Sequence, residues 1–97
     1  MTYPYTSYVR MALRFYCRYP EPEFKTAVDE KNWKACELAI KTFKPGDQEI
    51  LKQVYALPDQ IGDNVYQIAQ EKGINQEIIW MLMKRLERKI AVLRDLK

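Results

Sequence analysis

Three groups of residues in this chain are of types that could do chemistry: the carboxylates Asp29, Glu30 and Glu37, the thiols Cys17 and Cys36, and tyrosines interleaved with arginines near the start. Paired carboxylates suit acid–base work, but the helix dipole favours acids in any first helical turn, and these begin a helix. Histidine is absent, which excludes imidazole-ligated zinc and Ser–His or Cys–His nucleophilic pairs. The acids of the middle segment match no metal-binding loop spacing. The expectation is no enzyme: no catalytic residue, no metal, no cofactor. Both cysteines read as reduced, buried small hydrophobes of a cytoplasmic protein, since the opening residues lack the apolar run of a secretory signal. No stretch approaches the roughly 18 apolar residues of a membrane span. Tyr3, Tyr5, Tyr8, Tyr16 and Tyr19 with Arg10, Arg14 and Arg18 have the makings of a surface for single-stranded nucleic acid. Their helical spacing favours a plainer reading, core packing with an arginine-lined solvent face.

The net charge of +3 hides a division along the chain. Residues 1–20 carry Arg10, Arg14 and Arg18 and no acid, while residues 21–75 hold seven basic and ten acidic side chains. Residues 76–97 carry Lys84, Arg85, Arg88, Lys89, Arg94 and Lys97 against Glu77, Glu87 and Asp95. Two basic ends around an acidic middle suit a polyanionic partner better than an acidic small molecule, although a mixed solvated surface gives the same count.

The elements that must position these residues are helices. Ninety-seven residues with 47% hydrophobic content make one domain with a modest core, and three glycines leave little room for hairpin turns. Tyr8, Met11, Ala12, Phe15 and Tyr19 recur at helical spacing over about Ser7 to Arg18, and Pro20 stops that helix. A second helix is predicted with Asp29 as N-cap, Val28 stapled to Trp33, and Trp33, Ala35, Cys36, Leu38, Ala39, Ile40 and Phe43 inward. A third starts on Pro45, buries Ile50, Leu51, Val54 and Tyr55, and ends near Ala56. After a loop from Leu57 to Asp63, Asn64 is expected to cap a short fourth helix through Lys72, closed by Gly73. A fifth, capped by Asn75, runs from Gln76 to about Leu96 with Ile79, Leu82, Leu86, Ile90 and Leu93 on one face. The prediction is an all-α chain of five helices, residues 1–43 packing on a C-terminal unit over 44–97.

Within that unit, about Asn64 to Leu93 meets the demands of a helix-turn-helix together. Ala69 gives the small residue where the helices cross, and Gly73 tolerates positive φ in the turn four positions later. Ile74 plugs the corner, Asn75 caps the second helix, and Ile79 and Leu82 fall inward six and nine residues after the glycine. An ordinary αα-corner inside a bundle uses the same residues, but the basic exit of the fifth helix favours DNA binding.

From Phe43 onward the sequence resembles region 4 of sigma-70-type factors. The resemblance rests on Asp47-Gln48-Glu49-Ile50-Leu51 ahead of Tyr55, then Val65-Tyr66-Gln67-Ile68-Ala69 and Gly73-Ile74-Asn75. With its short length and separate N-terminal helices the chain is similar to small phage- and prophage-encoded regulators of the ArpU/RinA type, which activate late genes. The resemblance covers about 55 of the 97 residues and implies a lone promoter- or operator-binding domain, not a complete initiation factor. It leaves contact with RNA polymerase and a symmetric homodimer open.

A recognition helix sets its N-terminal residues on base edges in the major groove. Spacing turns Gln76, Glu77, Trp80 and Met81 outward, with Lys84, Arg85 and Arg88 further along, after the Asn75 cap. Gln76 suits an adenine and Glu77 a cytosine amino group, while the three cations suit phosphates. Asn64, Tyr66 and Gln67 open the fourth helix, where amides meet the DNA backbone. Trp80 and Met81 depart from sigma region 4, which usually carries Arg, Lys or Gln there. Trp80 either meets thymine methyls or packs on the first helix or a second subunit, and packing is favoured. The competing function is a small helical phage assembly or packaging adaptor, working through Trp80, Met81 and Met83.

Overall fold

The computed structural model describes residues 3–96. It contains five helices, α1 (Thr6–Arg18), α2 (Ala27–Ile40), α3 (Pro45–Ala56), α4 (Ile61–Lys72) and α5 (Gln76–Leu93), and no strand among those residues. All five share one core, in which α5 packs on each of the other four and α1 bridges α2 and α3.

The α1 helix buries Tyr5, Val9, Leu13 and Tyr16, the face next to the predicted one. Tyr8, Met11 and Tyr19 are exposed, and Ala12 and Phe15 half-buried. Both stripes have helical spacing and lie about one residue step, or 100°, apart, so periodicity alone does not choose between them. Polar partners choose. The buried face is the one that brings Arg10, Arg14 and Arg18 alongside α3 and α5.

The α2 helix starts one turn early because Thr26, not Asp29, is its cap. The Thr26 hydroxyl accepts the Asp29 N–H at 3.1 Å, leaving Val28 exposed and unstapled. Ala35, Cys36, Ala39, Ile40 and Phe43 are buried and Trp33 partly so, its ring edge-on to Tyr16 at 5.2 Å. Leu38, predicted inward, is exposed.

The α3 helix begins on Pro45 and buries Leu51, Val54 and Tyr55. It ends at Ala56, where Leu57 precedes Pro58 and is extended at φ −62° and ψ 144°. Its last carbonyls lack helical partners, and the structure supplies them from both sides. Arg14 donates to Leu57 O at 3.0 Å and Asp59 O at 2.7 Å, and Arg18 to Ala56 O and Leu57 O at 3.2 and 3.1 Å. From below, Asn64 Nδ2 donates to Val54 O, Leu57 O and Asp59 O at 2.9, 3.1 and 3.2 Å.

Asn64 is therefore not the α4 cap. The helix begins at Ile61 after an extended Gln60, and Asn64 lies inside its first turn, fully buried. An amide side chain so close to three free carbonyls is held inward by them. The α5 helix ends at Leu93, which is exposed rather than buried, and Met83, Glu87 and Ala91 join its inner face. No helix among the described residues is long and apolar enough to cross a membrane.

Candidate nucleic-acid interface

The α4–α5 turn is built as its residues demand. Gly73 closes α4 at φ 64° and ψ 37°, a left-handed conformation in which a Cβ would be strained even though no atom lies within 4 Å of one. The N–H groups of Gly73 and Ile74 both return to Ala69 O, the latter at 3.1 Å, satisfying the end of α4. Ile74 packs half-buried on the core, and Ala69, Ile79 and Leu82 are buried around the crossing. Asn75 Oδ1 accepts the Glu77 N–H at 2.8 Å and starts α5.

This leaves the leading edge of α5 outside. Asn75, Gln76, Glu77, Ile78, Trp80 and Met81 are exposed, while the rest of the helix runs back through the bundle rather than standing clear of it. Glu77, Met81, Lys84 and Arg88 fall at steps of four, three and four, so they make one outward stripe. On α4, Tyr66 and Gln67 are exposed, Gln67 donating to Glu71 at 3.3 Å. Of the sequence-predicted DNA residues, Asn64 alone is buried. Its amide donors are engaged with the Val54, Leu57 and Asp59 carbonyls at and after the end of α3, so it cannot reach a backbone phosphate.

Two predicted contacts sit on the flanks of the stripe. Trp80 leans towards α1, where the Arg10 guanidinium lies over its ring at 5.9 Å, leaving it 36% exposed. Arg85 turns towards α2 and lies over the Phe43 ring at 5.1 Å. Lys84, Arg85, Arg88 and Lys89 are all exposed and form no ion pair among the described residues. Lys89 belongs with this set although spacing had not singled it out. The basic count at the chain's end was its signal.

The residues with catalytic chemistry do not converge. Glu30 pairs with Lys34 at 2.7 Å, and Glu37 accepts the Tyr16 hydroxyl at 3.0 Å and lies 3.7 Å from Lys41. Burial pushes the Cys17 and Cys36 thiols up to about 12, against the thiolate form a nucleophile needs. Among the described residues no three His, Cys, Asp or Glu side chains gather as a metal site requires.

One buried polar group went unmarked in the sequence. Glu87 Oε2 accepts from Tyr55 OH at 2.7 Å and from Arg10 Nε at 2.9 Å, tying α1, α3 and α5 together behind Trp80. Burial, then the charge and hydrogen bond of Glu87, push the Tyr55 pKa well up, so its hydroxyl stays a donor. Comparison of the chain with models of protein families, with curated proteins and with solved structures gave no match.

Proposed function

We propose that the chain is a duplex-DNA-binding transcription regulator that sets the first turns of α5 in the major groove. The observation that carries this reading is the left-handed bend at Gly73, which leaves Gln76, Glu77 and Met81 outward ahead of the free cations Lys84, Arg85, Arg88 and Lys89. Gln76 and Glu77 read base edges, and the cations neutralise phosphates, with Tyr66 and Gln67 on the flanking backbone. The likeness to sigma region 4 supports promoter or operator DNA as the target, in late-gene control of the phage type. Trp80 acts as a brace between α1 and the recognition turn.

The test is fluorescence anisotropy of the full chain with random-sequence duplex across a salt series. Affinity should fall with a log–log slope near −0.9 for each phosphate neutralised, so about −3 to −4 for four cations. Absence of any complex at low salt overturns the reading. The competing adaptor reading keeps less surface than the sequence promised. Met83 is buried and Arg10 partly covers Trp80, which leaves Ile78, Met81 and the uncovered part of Trp80 as the exposed apolar surface there.

A further inference from the structure

Leu38 and Leu93 have core chemistry and core spacing, yet they are 61% and 51% exposed, and they face the same groove. The groove runs between α2 and α5, holds about 660 Å³, and has Leu38, Ala39, Thr42, Val92 and Leu93 as its floor and walls. Val92 is 57% exposed. Arg85, Arg88 and Lys89 form its rim, and no acidic residue lines it. The two helices run antiparallel, since Arg94 near the end of α5 donates to Asn32 near the start of α2 at 2.7 Å, and Arg85 lies over Phe43 beyond the other end.

We infer that this groove is a docking site for an acidic amphipathic helix of another polypeptide. Two parallel ridges with an apolar trough between them take a third helix along their length, its i, i+3, i+4 and i+7 side chains in the trough. Charge selects the kind of helix. A cationic rim without a single lining carboxylate favours glutamates and aspartates along the edges of the incoming face and repels lysines. A second copy docking symmetrically would set the cationic rim against a patch that has no lining carboxylate to receive it, because a two-fold contact pairs a patch with itself. A nucleic-acid backbone would find phosphate partners only on the rim and an aliphatic floor beneath them. The inference differs from the DNA reading in the apolar floor: Leu38 and Ala39 on α2, and Thr42 just after it, lie off the stripe of Glu77, Met81, Lys84 and Arg88, while the rim cations Arg85, Arg88 and Lys89 serve both readings.

The experiment is chemical-shift mapping on the ¹⁵N-labelled full chain with three designed peptides about four helical turns long. One is an acidic amphipathic helix with leucines at helical spacing and glutamates between them. The second is the same composition scrambled, and the third replaces each glutamate with lysine. The first should shift the amides of Leu38, Ala39, Thr42, Val92 and Leu93, and the other two should not. Leu38→Glu and Val92→Glu, both at exposed positions, should keep the thermal midpoint and each weaken the acidic peptide tenfold or more. Leu38→Ala, which adds no charge beside the rim cations, should weaken the acidic peptide and leave random-duplex affinity as it was, so failure of the DNA reading and of this one are told apart. The inference is overturned if the scrambled or lysine peptide binds equally, if the shifts map elsewhere, or if random duplex produces them. It is overturned equally if those amides shift with protein concentration alone, which makes a second copy the occupant.

Discussion

Arg10, Arg14 and Arg18 on α1, and Lys84, Arg85, Arg88 and Lys89 on α5, are two cationic rows of similar length on one molecule, and their charges end in different places. The α1 row is bonded to acceptors of the fold, although Arg18 itself is exposed: Glu87 for Arg10, and carbonyls at and just after the end of α3 for Arg14 and Arg18. Burial, then repulsion from Arg18 and Arg10, lowers the Arg14 pKa, and the Leu57 and Asp59 carbonyls are the acceptors that offset this cost to its charge. The α5 row meets no carboxylate among the described residues and stays outside. Equal charge counts at the two ends of a sequence thus mean different things. A cation beside orphan helix carbonyls caps them, because those groups carry the negative end of the helix dipole and need donors. A cation with no such neighbour remains available to a ligand.

Substitutions can break this contrast, the largest effect first. Glu87→Ala leaves the Arg10 charge and the Tyr55 hydroxyl without their shared acceptor. It should cost about 3 kcal/mol in urea unfolding, the low end for a broken buried pair because Arg10 is 30% exposed. A loss below ~1 kcal/mol would show that Glu87 does not hold α1 to α5. Arg14→Ala removes two charge-assisted bonds to the α3–α4 connection and should cost about 2 kcal/mol by the same measure. A neutral result there would erase the distinction between the rows.

Alkaline pH probes the α1 side without mutation. Each thiol's folded pKa, raised to about 12, lies above its ordinary 9.0, so the folded state holds these protons more tightly. Their contribution is complete below about pH 9 and is lost as pH rises towards 12. Stability should be flat to pH 9 and then fall by roughly 1 kcal/mol per pH unit for each thiol. Replacing Cys17 and Cys36 with alanine should shrink that slope, and an unchanged slope would sink the assignment. Lys84→Ala with Arg88→Ala sharpens the contrast from the other side. The pair should alter unfolding free energy by less than ~0.5 kcal/mol while lowering the DNA salt slope by about 1.8. A large loss of stability would mean that the α5 row, too, is structural.

Legibility followed the range of the interaction. The α4–α5 turn was readable because Ala69, Gly73, Ile74, Asn75 and Ile79 act on neighbours within ten positions, and the exposed edge Gln76 to Met81 follows from them. Pro45 and the stop before Pro58 were readable for the same reason. The face of α1 and the inward turn of Asn64 were not. Each depends on carbonyls at the end of α3, and for Arg14 these lie 43 and 45 positions away in sequence. Trp80 is an intermediate case, since its departure from the pattern that the resemblance implies favoured packing, but only Arg10, 70 positions earlier, says against what.

By itself the sequence determined the five helices, the left-handed bend and the outward edge of α5, because backbone propensity, caps and glycine act locally. Only the tertiary structure decided which cations are bound by the fold and which remain free, and which aliphatic residues stay uncovered between α2 and α5. Those outcomes depend on which distant donors, acceptors and apolar surfaces meet, and spacing along one helix carries no record of its neighbours.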